Sequence, residues 1–326
     1  MKKTKKVIAL GLTAVMALSL SACGGRNAGN QPAATQAPAA EGGEAADSQG
    51  GQTAAAVTIK IGHVEAEDRS THKALVEYFQ KPVEEKSGGT IKVEIYPNSA
   101  LGGDAELTES VAMGSLTAAL PSTSVLVAYS PDFGVMDMPW LFSNAQNAFE
   151  AMDGDMGGYF NQKLEAVGIH CLGYSYNGLR SMTNNVRPIT KPEDLKGLKM
   201  RVMENQVFID FFNTLGASAT PMGFNELFTG LQQNTVDGQE NPPSLIYASK
   251  FQEVQKYIST TEHIYDFCGI VINRNFYEGM DEQARKILDD AVQTKLIDEQ
   301  RSMELDNNDE YLKKLQEEGM ELTELT

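Results

Sequence analysis

Cysteine is scarce in this chain: Cys23, Cys171 and Cys268 are the three among 326 residues. So few exclude a disulfide-stapled scaffold, and none lies in a CxxC pair or beside a histidine, which removes the usual zinc and redox motifs. The four histidines, His63, His72, His170 and His263, are scattered without HxH or HxxxH spacing, so no metal site is expected. Basic charge is also short: 27 Lys+Arg stand against 44 Asp+Glu, a net −17. The first 23 residues carry four lysines and no acid, which leaves the remainder at −21. A body that acidic excludes nucleic acid as a partner, because phosphate binding needs a basic face. No apolar run reaches the length of about 20 residues that a bilayer span requires. Missing too are GxGxxG after a strand, the P-loop, HExxH and GxSxG, so nothing supports an enzyme and no cofactor is expected. Asp153-Gly154-Asp155 has the opening spacing of a calcium loop but lacks the later ligands, and is read as a turn between helical segments.

What is present begins with an address. Lys2, Lys3, Lys5 and Lys6 precede a 14-residue apolar run, Val7 to Leu20, which has the length of a signal-peptide core. Leu20-Ser21-Ala22-Cys23 then resembles a bacterial lipobox, which implies that residues 1–23 are a signal and that Cys23 is the diacylated N-terminus. Two acyl chains suffice for stable anchoring. Residues 24–56 hold Gly, Ala, Gln, Ser and Thr with no aromatic side chain, and read as a disordered tether. Its root-mean-square reach is about 30 Å. The expected place is therefore the outer face of a membrane.

From residue 57 strand and helix patterns alternate. Period-2 alternation predicts strands over 57–63 and 91–95, and helical spacing predicts a helix over 70–86, kinked or split at Pro82 and stopped by Gly88-Gly89. Helix 104–113, a short strand over 116–120, one long helix over 144–168 and a strand over 169–174 follow. A capping box is expected from Thr190 to Glu193. Beyond it come strand 198–203, helix 206–215, extended chain 217–221, helix 225–233, strand 269–273 and a charged helix from Asp281 to about Glu318, broken near Asn307-Asn308. The βαβα rhythm, met twice, predicts two α/β units with mostly parallel sheets. Cys171 and Cys268 are read as reduced, buried small hydrophobes, with a bridge between them left open.

Eight strings then stand in register: Ile61-Gly-His63, Tyr96-Pro-Asn-Ser-Ala-Leu-Gly-Gly, Asp137-Met-Pro-Trp-Leu-Phe, Tyr176-Asn-Gly-Leu-Arg180, Lys196-Gly-Leu-Lys-Met-Arg201, Thr220-Pro-Met-Gly-Phe224, Val236-Asp-Gly-Gln-Glu-Asn241-Pro and Lys250-Phe-Gln-Glu-Val-Gln-Lys. Together they resemble the DctP-type extracytoplasmic solute receptors of tripartite ATP-independent periplasmic (TRAP) transporters. The resemblance implies a two-domain clam-shell fold like that of periplasmic binding proteins, with a long hinge-spanning helix. It implies domain I at 57–177 and 267–306 and domain II at 178–266 and 307–326. It also implies a membrane permease as partner, and a small organic acid held by Arg201 and Arg180, with Asn241 beside it and Phe224 packing on it. Where sialic-acid receptors of the family carry a glutamate, this chain has Ser122, which speaks against that ligand.

A guanidinium offers two parallel donors that match a carboxylate, which lysine does not reproduce, so the arginine assignment also has a physical basis. The loop holding His63, Glu65 and Asp68, and the segment holding Asp266, are expected to supply pocket walls that accept hydroxyl hydrogens. That suits a sugar acid such as a uronate or aldonate. A C4-dicarboxylate stays open, its second charge taken by Arg69, Arg180 or Lys73. A receptor feeding a sensor kinase and an exported hydrolase are the competing classes.

Overall fold

The computed structural model describes residues 57–305 and 308–325, so the signal, Cys23 and the tether lie outside the described residues. Strand β1 (Val57–Gly62) pairs in parallel with β2 (Ile91–Tyr96) along its whole length. Ile59, Ile61, Ile91 and Val93 are buried while Lys60 and Lys92 face solvent, as period-2 alternation requires. Between the strands, α1 runs over residues 70–86 without a break. Pro82 is accommodated because Leu75–Gln80 widen into π-helical turns, so the hydrogen-bond ladder changes register just ahead of the residue that lacks an N–H. Gly88 and Gly89 then take φ of 59° and 79°, which turns the chain back towards β2.

Helix α2 (Asp104–Met113) leads to the two-residue strand β3 (Ala118–Ala119) and two 3-10 turns, Thr123–Ala128 and Pro131–Asp137. The single helix expected over 144–168 is two, α3 (Ala145–Asp153) and α4 (Asp155–Glu165), because Gly154 leaves the helical region at φ −101° and ψ −142°. Strand β4 (Ile169–Leu179) runs past its expected end, and one residue, Arg180, separates it from β5 (Ser181–Asn184). The turn near Thr190 is capped differently from expectation. Its 3-10 helix starts at Pro192, so the capping carboxylate is that of Asp194, accepting from the Thr190 N–H at 2.9 Å and the Thr190 hydroxyl at 2.7 Å.

The second lobe continues with β6 (Lys199–Val202), α5 (Gln206–Thr214), β7 (Ser218–Pro221), α6 (Phe224–Gln232), β8 (Gly238–Asn241), α7 (Pro243–Ala248) and β9 (Tyr257–Thr260). The chain returns through β10 (Tyr265–Asn273), α8 (Arg274–Gly279), the long helix α9 over residues 282–305, α10 (Asn308–Glu317) and β11 (Glu321–Glu324). Of the break expected near Asn307-Asn308, Asn307 lies outside the described residues and Asn308 opens α10.

Two sheets result, ordered β2-β1-β3-β10-β4 and β11-β9-β5-β8-β6-β7. Both are mixed: the first has two parallel and two antiparallel pairings, the second three parallel and two antiparallel, so only the second is mostly parallel. Strand β10 re-enters the first sheet from the second lobe and so runs antiparallel to β3 and β4. Where the two crossing segments meet, the Arg180 N–H donates to the Ile264 carbonyl at 3.0 Å and the His263 N–H to the Arg180 carbonyl at 3.2 Å. Each sheet has apolar clusters of its own: Ile61, Leu75 and Leu288 in one and Phe133, Phe160 and Phe267 in another for the first sheet, Phe208 and Leu231 within those of the second. Cys171 and Cys268 are buried and unbridged.

Gly238 lies where β8 passes closest to β5. A Cβ there would stand 2.2 Å from the Thr183 carbonyl oxygen. Gly238→Ala is expected to cost about 3 kcal/mol, at the upper end of overpacking penalties, and chemical denaturation would read it as a lowered midpoint.

Candidate functional site

Three arginines are buried in the region where the lobes meet, and their surroundings differ. Arg69, in the turn before α1, donates to Glu65 at 2.8 Å, to Glu304 at 2.9 and 3.1 Å, to the Asn177 carbonyl and side-chain oxygens at 2.9 Å each, and to Ser244. It ties both lobes to α9. Arg180, at the crossing, holds Asp266 at 2.6 Å and Glu240 through both carboxylate oxygens, and also reaches the Glu240 carbonyl at 2.7 Å. Both charges are neutralised within the protein.

Arg201 is different. It stands on β6, 2% exposed, and its Nε donates to the Met222 carbonyl at 2.8 Å. Among the described residues no carboxylate comes within 4.0 Å of its guanidinium. Burial, with the like charge of Arg180 adding to it, pulls its pKa down to about 10 against the partial support of Glu240, Asp104 and Glu204. It remains protonated at neutral pH, as a buried cation lacking a counter-ion.

The guanidinium borders a small interlobe hollow of about 20 Å³, walled by Val64, Glu65, Asp104 and Ser122 on one side and Met203, Phe224, Asn241 and Leu245 on the other. Asp104, Arg201, Met203 and Phe224 also line an outer cavity of about 670 Å³ whose rim carries Glu106, Glu109, Glu204 and Glu226. Asp104 opens α2 and has its Oδ1 buried without a hydrogen-bond partner. Burial, with Asp266 and Glu65 adding to it, pushes its carboxyl up to about 7 despite Arg201 and Arg180. A hollow of this size holds little more than one water, so a larger guest needs the lobes to part. The chemistry on offer is one cation without a carboxylate partner among the described residues, two carboxylates and several neutral hydrogen-bonding groups in a gap between the lobes. Among the described residues no cluster of three or more His, Cys, Asp or Glu side chains is placed to hold a metal ion.

The DctP profile, bacterial extracellular solute-binding protein family 7, matches residues 61–326. The chain belongs to this family. It is similar to the sugar acid binding protein DctPAm of Advenella mimigardefordensis, solved with galactonate, at 37% identity and a TM-score of 0.81 over 83% of this chain and 87% of that one. A TRAP periplasmic solute binding protein of Polaromonas, solved with D-erythronate, is 36% identical with a TM-score of 0.80 over 83% of this chain and 88% of its own. The C4-dicarboxylate-binding protein DctB of Bacillus subtilis is 36% identical over 72% of this chain and 67% of its length.

In this family 7 protein the residues anticipated from sequence fall into three groups. Arg201, Phe224, Asn241, Ser122, Glu65 and Arg180 all line the hollow. Asp266 and His63 are buried beside it but engaged elsewhere. Asp266 accepts from Arg180, from Asn177 at 2.7 Å and from the Ser122 hydroxyl at 3.0 Å. His63 faces the His72 ring at 3.1 Å, and burial first of all drives its pKa down to about 4. Asp68, expected in the wall, is exposed at a turn closed by the Arg69 N–H and the Ala66 carbonyl, so it stays outside. Lys73 is exposed as well. Asp104, Asn177 and Met203 were not anticipated. Only Asp104 had a local sign, as the first acid of a helix that follows two glycines.

The raised Asp104 value fixes a sign. The folded protein holds a proton there that the unfolded chain gives up near pH 4, so this contribution to stability is full below pH 4 and lost as pH rises through about 7. Asp104→Asn is expected to raise the melting temperature at pH 8 and leave it nearly unchanged at pH 4, read by calorimetric scans across that range.

Proposed function

We propose that this family 7 protein is an extracytoplasmic TRAP-type receptor that captures a small hydroxylated organic acid between its lobes. The observation that carries this reading is the buried Arg201 guanidinium with no carboxylate among the described residues to match it. Leaving a charge buried and unpaired costs several kcal/mol, and a guest carboxylate relieves that cost while joining the two walls. The closed state is then stabilised selectively, which is closure by population shift.

The walls favour a sugar acid over a dicarboxylate. A second carboxylate needs a second free cation. Arg69 and Arg180 are already paired, Lys73 faces solvent, and the outer rim is acidic, which repels a dianion on approach. Glu65, Asp104, Ser122, Asn177 and Asn241 instead offer acceptors and donors for hydroxyl groups. The galactonate and D-erythronate of the two solved relatives are acids of this kind.

In this reading residues 57–177 with 267–306 and residues 178–266 with 307–326 are the closing domains, with α9 spanning the hinge. Cys23 carries the lipid, residues 24–56 are the tether, and the loaded protein docks on a TRAP permease, to which ion coupling belongs. The alternative for Cys23 is a plain secretory signal, and labelling with an alkyne fatty acid separates the two.

Arg201→Ala and Arg201→Lys are both expected to weaken binding of D-galactonate or D-erythronate at least tenfold, because truncating one partner of a buried charge pair costs about 2–5 kcal/mol. Titration calorimetry checks it, and unchanged affinity would overturn the assignment. Succinate is expected to bind more weakly than the aldonates in the same titrations.

A further inference from the structure

The lobes also meet along a second seam, away from the hollow, where the turn Pro131–Asp137 and the loop after it face α5 of the second lobe. Asn205 stands at its centre. Its side-chain oxygen accepts from the Val207 N–H at 2.8 Å, capping α5. Its Nδ2 donates to the Ser124 carbonyl at 2.9 Å and to Asp137 Oδ2 at 2.6 Å, both in the first lobe. Asn205 and Asp137 are 3% and 2% exposed. One carboxamide thus holds a second-lobe helix with its oxygen and the first lobe with its nitrogen.

The seam continues outwards from there. Gly134 lies against Val207, where an added Cβ would stand 3.3 Å from Val207 Cγ2. Further on, the Trp140 N–H donates to the His263 carbonyl at 2.7 Å, and the indole meets Phe211 of α5 edge-on at 6.3 Å and 76°. Trp140 holds a left-handed φ of 55°, which a bulky residue keeps only where contacts over-determine it. Trp140 as a whole is 65% exposed, so burial alone does not hold it. Asn205 follows Arg201 by four residues, so β6 and the start of α5 carry both the grip on the guest and the grip on the opposite lobe.

We propose that Asn205 is a positioning residue that clasps the two lobes through Asp137 and the Ser124 carbonyl, with Trp140 sealing the outer end, and so presets the closed arrangement before an acid reaches Arg201. The consequence for affinity rests on the receptor reading; the clasp itself does not. Apparent affinity scales with the fraction of molecules already competent to hold the guest, so loosening the clasp weakens binding without touching any group in the hollow.

Asn205→Asp separates the two roles of the side chain. Aspartate caps a helix as well as asparagine does, but it replaces the donating amide with a carboxylate facing Asp137 and the Ser124 carbonyl. The full chain carrying Asn205→Asp should therefore show, without ligand, a larger radius of gyration by X-ray scattering. Its Trp140 emission, which belongs to the only tryptophan of the chain, should become more accessible to acrylamide. Affinity for D-galactonate should fall at least tenfold, mainly through faster release in stopped-flow mixing. The exchanged pair Asp137→Asn with Asn205→Asp restores the donor–acceptor match between the two side chains but leaves the Ser124 carbonyl facing a carboxylate, so it should recover part of the loss, which a merely structural role would not allow. Wild-type scattering, quenching and release in Asn205→Asp would overturn the clasp, as would an exchanged pair no better than the single variant. Should circular dichroism show Asn205→Asp unfolded, Trp140→Ala at the exposed end of the seam decides, with faster release expected and unchanged release refuting. If the wild type binds none of D-galactonate, D-erythronate and succinate, the receptor reading fails, while scattering of the ligand-free variants still decides the clasp.

Discussion

A positive charge held out of water, with no carboxylate beside it among the described residues, is the constraint around which the interlobe region is organised. The chain has acid to spare, yet around Arg201 the carboxylates are spent elsewhere: Glu240 and Asp266 on Arg180, Glu65 and Glu304 on Arg69. The acid left facing the hollow, Asp104, is itself biased towards its neutral form. Such an arrangement is costly in the empty protein, because desolvation of the guanidinium is not repaid by any internal pair. An anion that supplies two acceptors in the plane of the guanidinium changes that balance, and only when both walls surround it.

The backbone explains why those charges sit where they do. Arg180 is the single residue between β4 of one sheet and β5 of the other, so its ion pairs brace the crossing rather than face a guest. Arg69 performs the same service between α1, α7 and the long helix α9. With both crossings braced, β6 can present Arg201 from the second lobe to a first-lobe wall made by α2 and the turn after β3. On the proposed reading, binding and closing are two aspects of one geometry, in which a strand carries the cation and the crossings carry the pairs that would otherwise neutralise it.

Much of the local structure was legible because its causes are local. Helix α2 begins and ends where capping and the following glycine place it, and β1 and β2 follow their alternation residue by residue. The failures share a cause as well. Gly154 divides a segment whose periodicity alone reads as one helix, and Pro82 leaves unbroken one expected to be kinked or split there, because neighbouring turns can absorb or refuse a local defect. The strand lengths of β4 and β10 and the antiparallel course of β10 depend on pairing across more than 80 residues, which no window of sequence contains. In the site, the motif around Arg201 pointed to a residue that lines the hollow, whereas Asp68 and Lys73, of equally plausible chemistry, turn outward at the ends of a tight turn and a helix face.

By itself the amino-acid order determined the acidic body, the alternation of elements and the register of motifs, since these follow from composition and short-range patterns. Only the tertiary structure decided which of three arginines remains unpaired. That outcome depends on where carboxylates distant in sequence, Glu240, Asp266 and Glu304, come to lie once two lobes have closed over one another, and electrostatic pairing acts over ångströms in space rather than positions along a chain.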